Sequence, residues 1–394
     1  MKNYGSFHIH EINGHIHTPY SFSAFQNIGQ AFELAVKENV RALGINDFIV
    51  TDGYEEFARE AFRSGVFPLF NIEFMGLDKD LQKQGIRVND PNNPGRIYFS
   101  GKGLRFPVSG QNGALAALKK ARDESNAQTR MMTEKLNHHL QNIGAPFRLS
   151  FEEVKEQFAQ ELVRERHLAK ALRVRIFEVY QSESGRAAFL EKLYGKPSKN
   201  LHNISALDNE IRGNLLKKGG VAFVEEDENA FPGLDSIIDT IVSLGGIPCY
   251  PVLLDDAQGA LTEFESDYEK MADYLTARNV YCVELIPGRN NIDKLREFVR
   301  SFNKRNFIVS FGTEHNTPEL TPLKVDCRDR QPLDDELRRI NYEGACAIAA
   351  HQYLLAKGEE GFIGAGGKAK SQRKEYFVEL GNAALNYFLS KKWD

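Results

Sequence analysis

The chain has 394 residues, 42% hydrophobic and 26% charged, a globular composition that excludes a disordered polymer and predicts one large core plus additions. Lys plus Arg is 50 and Asp plus Glu is 54, a net charge of −4, which argues against a basic surface built to coat nucleic acid and leaves room for a local anion pocket. Cys249, Cys282, Cys327 and Cys346 form no C-x-x-C pair, residues 1–10 carry no apolar signal core, and no run reaches membrane-spanning length. Buried free thiols, a cytoplasmic location, and no membrane or stable nucleic-acid partner are therefore expected.

The first informative stretch is Gly14-His15-Ile16-His17-Thr18-Pro19. Alternation from Glu11 predicts a strand, on which His15 and His17 share one face, and Thr18-Pro19 ends it. Residues 28–39 carry apolar groups at helical spacing and residues 40–45 read as a buried strand, a strand-helix-strand unit that predicts a parallel sheet. That strand runs into Asn46-Asp47-Phe48. Residues 53–63 read as a helix, and residues 66–74 as a strand delivering Glu73 near its end. Polar or ionisable groups thus stand where three strands finish, the end at which parallel barrels build active sites.

Regular alternation then stops. Residues 78–107 are rich in Gly, Pro and Asn with one strand at 96–100, and 113–144 predicts a long charged helix. Ser150-Phe151-Glu152-Glu153 opens a capped helix, and a further helix contains Glu165-Arg166-His167-Leu168-Ala169. Residues 78–230 read as a mostly helical insertion between barrel segments 1–77 and 231–330, with a helix near 167 that could lean over those strand ends. After 231 the pattern resumes: helix 234–244, strand 247–252, helix 264–278, strand 280–286 ending at Pro287-Gly288-Arg289, helix 293–305, and strand 307–311 ending at Gly312-Thr313-Glu314-His315. Residues 331–394 read as a C-terminal helical extension. His351 lies in its apolar helix and reads as a packing residue. The glycine-rich run 361–367 follows a helix and lacks the Lys-Ser/Thr ending of a phosphate loop.

The candidate ligands are His15, His17, Glu73, Glu314 and His315 at strand ends, with His167 from the helix. Imidazole with carboxylate is a donor set for zinc, manganese or iron. Asp47, Arg289 and Tyr250, also at strand ends, are the candidate catalytic groups. Arg289, or Arg166 beside His167, could clamp an anionic group by bidentate contact.

The order of His-Ile-His-Thr, a strand-end Asp, Ile-Glu after the third strand, a helical His, Gly-Gly-Ile-Pro and a late acidic-His pair resembles the PHP (polymerase and histidinol phosphatase) family. Its nucleoside bisphosphate and oligonucleotide phosphatase branch is the nearest in pattern. The resemblance covers residues 10 to 320. It implies a distorted (β/α)7 barrel and a cluster of up to three metals that hydrolyses phosphate esters. It further implies that His15, His17, Glu73 and Glu314 hold the first metal.

The pattern departs from the family at three ligand positions, where this chain has Ala24, Phe48 and Tyr250. One or two divalent ions are expected rather than three. The function expected is a metal-dependent hydrolase of small phosphate esters, with nucleotides among the candidate substrates; the alternative is a degenerate PHP protein that binds one metal and a phosphorylated ligand without turnover.

Overall fold

A computed structural model describes residues 6–110, 113–225, 231–255 and 259–391. The protein is a mixed α/β chain whose seven strands form one nearly closed barrel. The strands are β1 Glu11–Ile16, β2 Val40–Phe48, β3 Phe67–Leu77, β4 Arg96–Lys102, β5 Ile247–Val252, β6 Cys282–Leu285 and β7 Ile308–Phe311, and they lie side by side in chain order. Helices α1 Ile28–Lys37 and α2 Tyr54–Ser64 link the first three strands; α3 Lys79–Lys83 follows β3. Neighbouring strands run parallel except around β4, which is antiparallel to both β3 and β5. The barrel meets its own beginning where Ile16 bridges Glu314, with the His17 N–H donating to Glu314 O at 2.7 Å.

Strands β2 and β3 run further than their apolar stretches predict, because the pairing continues as far as Phe48 opposite Glu73. Glu73 therefore sits inside β3, in register with Ser100 of β4. That reversed strand brings the segment 96–102 into the sheet.

Between β4 and β5 run α4 Ala114–Asn142, α5 Phe151–Phe158, α6 Glu165–Val179, α7 Glu183–Tyr194, α8 Ile204–Ile211 and α9 Leu234–Ser243. Ser150 caps α5 by accepting from the Glu153 N–H, as its sequence predicts. Met132, Leu136, Leu172, Phe189 and Leu215 belong to a hydrophobic core of these helices, separate from that of the barrel. The expected boundary at residue 230 lies outside the described residues.

Helices α10 Tyr268–Ala277 and α11 Ile292–Lys304 pack beside β5 to β7, and α12 Asp335–Ala356 and α13 Lys374–Leu389 complete the chain. The apolar side of α12 clusters with Ile12, Ala42, Leu69, Ile247, Cys282 and Ile308. These residues lie in the N-terminal halves of parallel strands, so α12 plugs the barrel from below. Close approach needs glycine: a Cβ on Gly344 would run into Val309 O, and one on Gly381 into Cys346 O. His351 locks the plug, donating from Nε2 to Gly245 O at 2.7 Å and accepting from the Phe362 N–H at 2.9 Å. Among the described residues no helix is long and apolar enough to cross a membrane.

Candidate metal centre

Strand periodicity gives the barrel an inner face, and on it the polar side chains gather. Ala42, Leu69, Ile247, Cys282 and Ile308 face α12; counting in twos along each strand then brings Asn46, Glu73, Glu284 and Ser310 to the same face, nearer the open end. His15 and His17, from the end of β1, are buried among them.

One donor atom each from His15, His17 and Glu73 lies within 4.8 Å of the other two. The Nε2 atoms of His15 and His17 are 3.4 Å apart, and His17 Nε2 lies 3.5 Å from Glu73 Oε2. Two donors each about 2.1 Å from a tetrahedral ion stand about 3.4 Å apart, so the spacing fits a common metal.

Both imidazoles are aimed from behind. His15 Nδ1 donates to Glu284 Oε2 at 2.9 Å. His17 Nδ1 donates to Ser21 Oγ at 3.2 Å, which in turn donates to Asp47 Oδ1 at 2.6 Å. Each ring is thereby left with its Nε2 lone pair toward the other, the arrangement in which outer carboxylates support metal-bound histidines. Phe22 stacks on the far face of His17 at 4.8 Å between centroids.

The electrostatics also call for a cation. Burial, then the neighbouring Glu314 and Glu284, raises Glu73 well above the ordinary carboxylate range. Burial, then His15 and Arg166, holds His17 well below the usual imidazole value, so it is neutral and able to coordinate. A divalent ion would compensate the Glu73 carboxylate and accept both lone pairs.

The other expected site residues are placed as follows. Asp47 faces away from the barrel interior, where it accepts from the Thr18 N–H at 2.7 Å, the Thr18 hydroxyl and Ser21. Burial pushes it up to about 7 against those donors. It braces the loop after β1. Glu314 reaches the rim and pairs with Arg289, while Asn316 Nδ2 donates to the same Glu314 oxygen at 2.7 Å. His315 turns into its own loop: Nε2 meets Thr321 O and Nδ1 meets Thr313 Oγ1, both at 2.8 Å, with the ring stacked on Phe25. His167 caps its own helix, accepting the Arg164 N–H on Nδ1 at 3.0 Å, and burial lowers it to about 3. It lines a different cleft, with Ser23, Ala24 and Arg166. Tyr250 is fully buried and donates to Glu265 Oε1 at 2.8 Å. It lies one residue out of phase with the inner face, since Cys249 belongs to the cluster against α12.

Glu284 and Ser21 are not among the sequence candidates. Glu284 has a signal available after the fact, two residues along from Cys282 on a strand whose inner face is set by parity. Ser21 has only its position four residues after His17.

Above the donors lies a cavity of about 290 Å³, lined by His15, Glu73, Glu284 and Glu314 below and by Arg164, Arg166, Arg212 and Lys217 above, with Arg289 at its edge. Glu165 engages Arg164, Arg212 and Lys217. Arg164 lies over the Phe48 ring at 4.6 Å and Arg166 over Phe22 at 5.3 Å. Arg166 Nη1 is buried without a protein hydrogen-bond partner.

No family model and no curated protein matches the sequence. A crystal structure from Bifidobacterium adolescentis, assigned as a metal-dependent phosphoesterase, superposes with a TM-score of 0.53 at 15% identity, covering 84% of this chain and 94% of that one. The two proteins share a fold. An amidohydrolase from Chromobacterium violaceum, with bound sulfate and no metal, has a TM-score of 0.49 at 18% identity over 84% of this chain and 96% of its own. The shared fold is a barrel, and the His-His-Glu group of this chain could bind a metal.

Proposed function

We propose that the protein is a metal-dependent hydrolase of small phosphate esters, of PHP type, with a single divalent ion held by His15, His17 and Glu73. The observation that carries this reading is the donor geometry: three protein donors within 4.8 Å of one another, His17 at tetrahedral spacing from each of the other two, with the remaining side open to a cavity roofed by arginine and lysine. Structural zinc sites close all four positions, whereas catalytic ones keep one for water or substrate. Other acids of the barrel mouth have partners, Glu284 Oε2 in Lys102 and His15, Glu314 in Arg289, and Asp47 in hydroxyl and backbone donors, while Glu284 Oε1 has none. Among the described residues one His-His-Glu group is close enough to share an ion, which supports a single one.

Held by His15, His17 and Glu73, a divalent ion would supply an acidified water and a Lewis acid for a phosphoryl oxygen. The chain supplies the rest. Glu284 and Ser21 hold the imidazoles in position, and Phe22 shields His17 from one side. Arg166, with a buried donor unmatched by protein, is placed to receive a phosphoryl oxygen. Phe48 and Tyr98 give the cavity aromatic walls on which a nucleobase could rest, so nucleotides belong in the first substrate panel.

The test is metal content of protein purified without added metal, together with hydrolysis of p-nitrophenyl phosphate and nucleotides. One equivalent of metal with turnover that Arg166→Ala lowers by about 10²-fold or more is expected. One equivalent with no turnover on any phosphate ester would replace the hydrolase by a metal-holding binding protein.

A further inference from the structure

Lys102 has no exposed surface. It stands on the inner face of β4, and because that strand runs against its neighbours the side chain enters the barrel below the histidines. Lysines are almost never fully buried without a partner. Here the ammonium donates to Glu284 Oε2 at 2.5 Å and to Asn46 Oδ1 at 3.0 Å. Glu284 Oε2 is also the acceptor for His15 Nδ1, and the Asn46 amide nitrogen lies against the His15 ring, 3.1 Å from Nε2 and 3.3 Å from Nδ1.

Resting on the metal-centre reading above, we propose that Lys102 is a positioning residue of that centre. Its ammonium fixes the Glu284 carboxylate behind His15, so that the ring keeps its proton on Nδ1 and offers Nε2 to the ion.

The geometry supports the assignment. Glu284 Oε2 is contacted both by the Lys102 ammonium and by His15 Nδ1, so Lys102 holds in place the acceptor of the His15 proton. Lys102 also donates to Asn46 Oδ1, which ties the ammonium to the neighbouring strand. The ion pair keeps Glu284 Oε2 a charged acceptor for His15 inside the barrel. A purely structural lysine would stabilise the barrel floor without affecting the ring proton of His15.

The experiment compares zinc affinity, by competition with a chromophoric chelator, in the wild type, Lys102→Met, Glu284→Gln and the double variant. Long-range 15N–1H spectra of the zinc-free and zinc-loaded wild type read the His15 tautomer. Lys102→Met and Glu284→Gln should each weaken zinc by about 10- to 100-fold. The double variant should match Glu284→Gln within about twofold, since Lys102 acts through Glu284. Zinc binding at wild-type strength in folded Lys102→Met overturns the proposal. If Lys102→Met does not fold, the neutral pair in the double variant takes its place, and a further loss of tenfold or more relative to Glu284→Gln has the same effect. A His15 proton on Nε2 in the zinc-free wild type overturns it without any variant. A wild type that binds no zinc sinks the metal centre and the proposal together; one that binds zinc with the expected tautomer but hydrolyses no phosphate ester overturns only the hydrolase reading.

Discussion

Arg289 and Glu314 form an ion pair across the rim of the barrel, and it draws Glu314 off the His15, His17 and Glu73 donors. Arg289 is half exposed, so the pair itself contributes no more than about 1 kcal/mol. Arg289→Ala should free Glu314 to join the ion and tighten zinc by roughly fivefold, the equivalent of that energy. Calorimetric titration measures it, and an unchanged affinity would show that Glu314 stays at the rim.

His17→Ala removes the donor that stands between the other two. Its Nε2 is 3.4 Å from one partner and 3.5 Å from the other. Bound metal measured by elemental analysis should fall below about a tenth of an equivalent, with affinity lost by more than about 100-fold. Retention of a full equivalent would place the ion elsewhere.

Ser21→Ala leaves every ligand in place and cuts the link from His17 to Asp47. Zinc affinity should drop about 10- to 100-fold, while unfolding free energy changes by only about 1 to 3 kcal/mol, as for loss of one buried hydrogen-bonding group. A variant with unaltered zinc affinity would show that the hydroxyl only fills space.

The plug beneath the barrel should be sensitive to acid through His351. Burial lowers this imidazole to about 4, and in the folded protein its Nδ1 accepts from the Phe362 N–H, which a protonated ring cannot do. The unfolded chain takes up its proton near 6.5, so the unfolded state binds more protons in the interval between. Stability from this residue is complete above about 6.5 and is lost as pH falls toward 4, in total about 3 kcal/mol. Urea denaturation across that range should show the slope, and His351→Gln should flatten it.

Gly381→Ala tests the contact between α12 and α13 at a point with no room for a methyl group beside Cys346 O. A loss of about 3 kcal/mol or more is expected in chemical denaturation. Since the plug lies at the opposite end from the donors, zinc stoichiometry in the folded fraction should stay as in the wild type.

The seven strands were readable in the sequence because each is a short apolar run between turn signals, and His15 and His17 because period two sends both one way. Strand direction is not written in such runs, so nothing marked β4 as reversed or predicted that it would carry Lys102 into the barrel. Glu284 looks like an isolated acid in an apolar strand, and its partner His15 is 269 residues away. Tyr250 illustrates the opposite difficulty: it occupies a strand near the mouth, yet a shift of one residue turns its hydroxyl outward to Glu265. For His315 and His167 the residue type suits a metal, but local hydrogen bonds take both ring nitrogens of His315 and Nδ1 of His167, and such local competition is invisible without coordinates.

The segment between β4 and β5 keeps a core of its own, and from it come Arg164, Arg166, Arg212 and Lys217. The donors for the ion belong instead to the strands. The metal donors and the cationic roof are therefore carried on separately cored parts of the molecule, so that the roof can be reshaped while the donors beneath it are left untouched.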